Sequence, residues 1–406
     1  MDARSNPYTP NAGARPPVLV GRDDQLSTFA LLLDRLGDGR TEQSMVITGL
    51  RGVGKTVLLG EFRRRALELG WAVVEMEVTK HDDLAFRRDL VREVRRALFD
   101  IAPMARWKAK AKRAAGGLRS FSLKMGADGN VSLGMDVKAI EGLADSGDLG
   151  ADLTDLLVVV GEAALDHGKG VVFLLDELQF LSTSQLEALI AALHRTVQRE
   201  LPITMVGAGL PQLPELAGEA KSYAERLFKF PRISQLSVAD ATAALRGPAQ
   251  QEGVDYADDA VRQIVDYTEG YPYFLQEFGQ AVWAIAAGPV ITRNDVRRAQ
   301  QIVEDKLDSS FFRVRLDRTT ELERAYLRAM AELGSGPQLA GEVASLLERT
   351  SQQLGPTRAR LIDKGLLYTP SYGNAAFTVP QFDRYMRRTV ELFVPPRRQR
   401  QRAVNP

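Results

Sequence analysis

GLRGVGKT, residues Gly49–Thr56, follows the apolar run SMVIT (residues 44–48) and leads into the helix-like stretch TVLLGEFRRRALEL. Its spacing is G-x-x-x-x-G-K-T. Between a buried strand and a helix, that pattern forms a phosphate-binding loop. The glycines let the backbone curl so that successive N–H groups face a β-phosphate, and the helix that follows adds its positive end. Gly49, Leu50, Arg51, Gly52, Val53, Gly54, Lys55 and Thr56 are the expected phosphate contacts. Lys55 would reach the β and γ oxygens, and Thr56 would offer its hydroxyl to Mg²⁺.

Working outward, WAVVEMEV (residues 71–78) is expected to be a second strand and LAFRRDLVREVRRALF (residues 84–99) a second helix. The strand VVFLL, the helix SQLEALIAALHRTVQ and the strand ITMVG come later. This alternation signals βαβ units on a parallel sheet. The fold class is therefore α/β, a P-loop NTPase sheet flanked by helices, followed by a helical lid and a C-terminal winged-helix domain. VVFLLDEL supplies the second half of a site. Its apolar run describes a strand buried on both faces, with Asp176 and Glu177 at the end. Asp176 can hold Mg²⁺ through its water shell, and Glu177 can polarise an attacking water. Phosphoryl transfer is mostly positioning and charge stabilisation, so these two carboxylates and Lys55 suffice for a hydrolytic site.

The spacing from Lys55 to Asp176 is long, and residues 103–150 account for most of the excess as an insertion. Within it FSLKMGADGNVSLGMDV alternates around a Gly-Ala-Asp-Gly-Asn turn, which suggests a β-hairpin. The expected divisions are an extended arm (1–17), the ATPase domain (18–235), a helical lid (236–310), a winged helix (318–394) and a basic tail (395–406). Helices are expected near 24–36 and, in the lid, at 238–250, 257–268, 272–286 and 292–307.

Composition narrows the chemistry. The 406 residues are 45% apolar and 26% charged, ordinary values for a globular protein. With no cysteine, disulfides, thiolate zinc sites and cysteine nucleophiles are excluded. Three histidines leave little room for a histidine metal centre, and His81 beside Asp82 and Asp83 reads as a solvated loop. No stretch reaches the roughly 18 apolar residues a membrane span needs, and the N-terminus has no apolar run of a secretory signal, so the expected location is cytoplasmic. The net charge of +1 confines any nucleic-acid surface to local patches.

The strand–loop–helix, the Asp-Glu strand end, the helical lid and the terminal three-helix unit together resemble the AAA+ ATPases. Within them residues 18–394 are similar to the branch of archaeal origin-recognition initiators and related STAND-type signalling ATPases. The resemblance implies that Val20-Gly21-Arg22 packs against adenine. It also implies an arginine that reaches a neighbouring subunit's γ-phosphate, hence a homo-oligomer or protein partner. Arg226, in SYAERLF, fits best, with Arg232 as the fallback, although either could pair with a carboxylate such as Glu225. Two departures stand out. ITMVGAG offers Gly207 and Gly209 where a polar sensor residue is expected, with Thr204 too early. GYPYFLQ puts Tyr273, Phe274 and Gln276, read as core, where relatives carry an arginine. Hydrolysis should be slow or partner-dependent, which suits a switch.

Helix, helix, helix and β-ribbon from Thr319 is the winged-helix arrangement. Its third helix is punctuated by Gly355, by Pro356 in the first turn, and by Gly365. Leu361, Ile362 and Leu366 would face the core, leaving Thr357, Arg358, Arg360 and Lys364 for phosphates or bases and Tyr372 at the wing tip. In the insertion, seven basic residues and no acidic one lie between Asp100 and Asp128, among them Lys108, Lys110, Lys112 and Arg113 around Trp107. Such a run would contact phosphates without sequence choice, or be a solvated helix face. The first reading is an ATP switch that binds double-stranded DNA. The alternative is a signalling or scaffold ATPase whose winged helix docks a protein. A small-molecule kinase is disfavoured, because the Asp-Glu pair activates water.

Overall fold

A computed structural model describes residues 1–79, 83–123 and 137–394. The chain divides into two compact units, Arg4–Gln280 and Ala281–Pro406 with Met1–Ala3.

The larger unit opens with the arm and α1 (Asp23–Gly37), followed by β1 (Ser44–Thr48), α2 (Lys55–Glu68), β2 (Ala72–Glu77) and α3 (Asp83–Ile101). The insertion then supplies α4 (Ala109–Leu123), and the chain continues through α5 (Leu149–Asp166), β3 (Val171–Asp176), α6 (Thr183–Gln198) and β4 (Ile203–Gly209). α7 (Leu213–Ala220), α8 (Ala224–Leu227) and β5 (Phe228–Lys229) complete the sheet region. The five strands are all parallel, in the order β2-β3-β4-β1-β5. Every residue of β1 and β4 is buried, as a sheet covered on both faces requires. This order puts β4 between β1 and β3, so the phosphate loop and the Asp-Glu pair flank its end. The crevice beyond the carboxyl ends of such strands is where ligands bind.

The insertion departs from the expected hairpin. Phe121–Leu123 finish α4, and residues 124–136, the rest of that hairpin's turn and second arm, lie outside the described residues. Ala111, Ala114, Ala115, Leu118 and Phe121 are buried in the same core as α3 and α5. The returning chain locks onto the helix, because Ser120 Oγ donates to Ile140 O at 2.8 Å and accepts from Ile140 N at 2.9 Å. Small residues drive this: a Cβ at Gly116 would sit 2.6 Å from Ile140.

The helical region after the sheet begins with α9 (Val238–Gln251), β6 (Asp255–Tyr256) and α10 (Asp258–Thr268), and the division between units falls within α11 (Pro272–Ile285). The smaller unit continues with β7 (Val290–Ile291), α12 (Arg293–Lys306), a π-helical turn (Leu307–Phe312) and α13 (Arg313–Leu316). It ends with α14 (Glu321–Leu333), β8 (Gln338–Leu339), α15 (Ala340–Leu346), α16 (Ser351–Asp363), β9 (Leu367–Tyr368), β10 (Asn374–Phe377) and α17 (Phe382–Thr389). The antiparallel sheet β8-β10-β9 backs the helices. α16 starts five residues before Pro356, because Thr350 and Gln353 form a reciprocal capping box there. Phe312, Phe382 and Tyr385 pack in its aromatic core, with the rings of Phe312 and Tyr385 stacked at 5.1 Å.

Candidate active site

Gly52 and Gly54 take φ of +82° and +92°, the left-handed backbone that the curled loop demands and that glycine adopts at little cost. Lys55, at the start of α2, is buried, and its ammonium donates to the loop's own carbonyls, Gly49 O at 2.9 Å and Leu50 O at 2.8 Å. Burial pushes its pKa down to about 8, Glu177 and Asp176 opposing and Arg51 assisting. Thr56 Oγ1 donates to Asp176 Oδ2 at 2.6 Å. A hydroxyl and a carboxylate oxygen held together form a hard-oxygen pair of the kind Mg²⁺ prefers alongside phosphate and water, so the residues fit the metal. Burial raises the Asp176 pKa, with the Thr56 hydrogen bond opposing.

Glu177 follows in the left-handed conformation, φ 56°. Its carboxylate is held from two sides. Arg51 Nη1 lies 3.4 Å from Oε1, and Gln179 Nε2 donates to Oε2. Sequence reading placed Arg51 only among the loop positions and passed over Gln179 altogether. The available signal was the pair of glycines in β4. A Cβ at Gly207 would meet Leu178 at 2.1 Å, and one at Gly209 would meet Gln179 Oε1 at 2.4 Å. The turn after β3 needs that room.

Three further segments converge here. Arg22 is buried, donating to Val53 O at 3.0 Å and Ser234 O at 2.8 Å, so it ties the Val20-Gly21-Arg22 segment to the phosphate loop. Burial lowers its pKa, with Asp240 opposing. In the lid, Phe274 is core as expected, but Tyr273 and Gln276 are not. Tyr273 N donates to Gly52 O at 3.3 Å, which sets the start of α11 on the loop, and Gln276 Oε1 accepts from Thr9 N at 3.0 Å. The arm crosses the same mouth. Tyr8 is 2% exposed, its hydroxyl donating to Leu245 O and accepting from Tyr256. Within the turn closed by Ala14 N on Asn11 O, a Cβ at Gly13 would touch Thr56, and just beyond it Arg15 pairs with Glu61 at 3.4 Å.

The family model described as AAA ATPase domain matches residues 18–206. The matched stretch contains β1, the phosphate loop, β2 and β3, so this part of the chain is similar to AAA ATPase domains. A second model, a domain of unknown function (DUF8462), matches residues 309–386. No curated protein matches significantly. Among solved structures, the Walker-type ATPase of Pyrococcus abyssi is 14% identical, with 92% of this chain and 97% of that one covered at a TM-score of 0.56, which shows a shared fold. The Thermotoga maritima RuvB Holliday junction branch migration motor (16% identity, 90% and 96% covered) scores 0.45. The Aeropyrum pernix Orc1 protein in complex with DNA (17%, 92% and 94% covered) scores 0.43. These two scores are too low to add to the fold assignment.

Away from the phosphate loop, Arg226 and Arg232 are exposed and make no ion pair among the described residues. In the smaller unit, Thr357 is 1% exposed and accepts from Arg360 Nη2, so it is closed to any external phosphate, contrary to the sequence reading. Arg360 and Lys364 share the fully buried Glu323, at 3.2 and 2.6 Å. Burial pushes the Glu323 carboxyl up, but Lys364, the Thr320 N–H and Arg360 outweigh it and hold it below the usual range. Leu361 and Leu366 are core, Ile362 is half-buried and Arg358 is partly exposed. Tyr372, between β9 and β10, is 99% exposed. Just before α4 Lys108 pairs with Asp166, and on the helix Arg113 pairs with Glu162, whereas Lys110 and Lys112 are exposed and unpaired among the described residues. Trp107 is buried, its indole N–H on Ala102 O. The tail arginines and the His81–Asp82 pair lie outside the described residues. No cluster of metal-ligating side chains and no helix long and apolar enough to cross a membrane occurs among the described ones.

Proposed function

We propose that this chain is a Mg²⁺-dependent ATPase that works as a slow nucleotide switch, with its C-terminal unit, a winged helix, contacting DNA. The observation that carries the ATPase reading is the bond between Thr56 and Asp176 beside the buried Lys55 and the aligned Glu177. Thr56 and Asp176 would hold Mg²⁺, which supplies charge neutralisation at the β and γ oxygens. Lys55 leaves its loop carbonyls for the phosphates, and Glu177 takes the proton of the attacking water. The pairing of Glu177 with Arg51 supports slow turnover, since that ion pair must loosen before the carboxylate can act as a base. Tyr273 on Gly52 offers a route by which phosphate contacts would move α11 and the lid. Val20, Gly21 and Arg22 stand beside the loop for the adenine side. Arg226 is the residue proposed for a neighbouring subunit's nucleotide.

For DNA, the supporting residues are the exposed Lys110, Lys112 and Tyr372 and the partly exposed Arg358, with Arg360 and Lys364 at the surface of α16. Arg360 and Lys364 are both engaged by Glu323, which offsets one of their two charges, and this favours a second reading, in which the winged helix docks a protein. Three measurements test these readings. Glu177→Gln should bind ATP like the parent and lose turnover; unchanged hydrolysis would remove the assigned base. Duplex DNA should be bound at about 50 mM salt and released steeply by about 200 mM. Absence of any complex at the lower salt would favour protein docking, for which ATP should change the mass of the Glu177→Gln protein in light scattering.

A further inference from the structure

The end of β4 is the place from which a polar side chain would be expected to face the γ-phosphate, and it carries Gly207 and Gly209. That space is filled from elsewhere. Gln179, two residues after Glu177, lies in the 3-10 turn Leu178–Phe180, which is closed by Phe180 N donating to Glu177 O at 3.0 Å. Its Oε1 accepts from Leu210 N at 3.1 Å, immediately past β4, and its Nε2 donates to Glu177 Oε2. A reversed amide would set its oxygen against the carboxylate and its NH₂ against an N–H, so this orientation alone satisfies both contacts. The Gly209 Cβ position is 2.4 Å from Oε1, so any side chain there would evict Gln179.

We propose that Gln179 is a positioning residue for Glu177, reaching from the turn after β3 to do the work of the absent side chain of β4. The proposal rests on the ATPase reading above. Arg51 grips the other carboxylate oxygen, but it belongs to the phosphate loop, and an incoming γ-phosphate competes for it. Gln179 is anchored at Leu210 and does not face that competition. It keeps the carboxylate aimed when Arg51 leaves. Misaiming a catalytic group by about 1 Å costs on the order of 100-fold in rate.

The test uses the full chain with Gln179→Glu, Gln179→Met and Glu177→Gln. Single-turnover hydrolysis gives the chemical step, and fluorescent ATP analogue binding gives affinity. Gln179→Glu preserves volume and the acceptor for Leu210 N but replaces the donor with a repelling charge. Gln179→Met preserves volume alone. Both should lower the hydrolysis rate about 10–100-fold while the nucleotide Kd stays within about twofold. A parallel loss of affinity would mean that Gln179 merely supports the fold of the site, and would overturn the proposal. So would wild-type hydrolysis in Gln179→Glu. If Gln179→Met proves unstable to heat, Gln179→Glu decides. Normal rates in the Gln179 variants with a dead Glu177→Gln would sink only Gln179; a fully active Glu177→Gln would sink the assignment of Glu177 as the base, on which the proposal rests.

Discussion

Lys55 illustrates how a single residue can be both complete and poised. Its ammonium has partners in the loop, yet burial pushes it down to about 8, so near that pH half of the nucleotide-free protein lacks the charge that phosphates seek. ATP binds the protonated form and raises its pKa, so binding takes up a proton above that pH. Affinity should therefore be nearly level below pH 7 and weaken above pH 8, by at most about tenfold per unit. Titrating a fluorescent ATP analogue at pH 7, 8 and 9 reads this directly. An equal Kd at all three pH values would show that Lys55 keeps its proton. Lys55→Ala should abolish the trend along with most of the affinity. Lys55, Thr56, Asp176 and Glu177 are legible in sequence because strand, loop and helix are encoded side by side. Arg51 and Gln179 were not, since their partner, Glu177, depends on a left-handed turn and on two glycines in a distant strand.

Among the elements, the arm carries more structure than its polar, proline-containing sequence signals. Tyr8 lies against Gly279, whose missing side chain makes room for the ring, and is hydrogen-bonded to Tyr256 and Leu245. Burial raises the pKa of both phenols, so they remain neutral donors at ordinary pH. Tyr8→Phe leaves the Tyr256 hydroxyl without its acceptor and should destabilise the larger unit by about 1–3 kcal/mol. Tyr8→Ala adds a cavity, for a loss of about 3–5 kcal/mol. Urea unfolding followed by circular dichroism measures both. A midpoint unmoved in Tyr8→Ala would mean that the arm is not part of the cooperative unit. Sequence gives no hint of this, because one tyrosine in a polar arm has no periodicity to betray its burial. The start of α16 was legible and was missed. Thr350-Ser-Gln-Gln353 has the capping-box spacing, but Gly355-Pro356 is the more conspicuous punctuation. In α4 the converse holds: Phe121–Leu123 alternate like a strand but continue a helix whose alanines fill the core.

At the scale of the molecule, 53 basic and 52 acidic side chains leave almost no net field to draw DNA toward the protein. Any affinity must then come from a few cations whose charge is not already spent internally. Glu323 offsets one of the two charges of Arg360 and Lys364, and Lys108 and Arg113 pair with Asp166 and Glu162, whereas Lys110 and Lys112 have no ion pair among the described residues. Each phosphate neutralised contributes about −0.9 to the slope of log K against log salt. If α4 holds DNA, Lys110→Ala with Lys112→Ala should flatten that slope by about 1.8 and weaken binding alike for all sequences. Tyr372→Ala, which removes no charge, should lower affinity with the slope unchanged if the β9–β10 tip lies in a groove. Anisotropy titrations of one duplex between about 50 and 200 mM salt read both effects. A slope indifferent to the two lysines would take α4 out of the interface and leave any contact to Arg358 and the surface of α16.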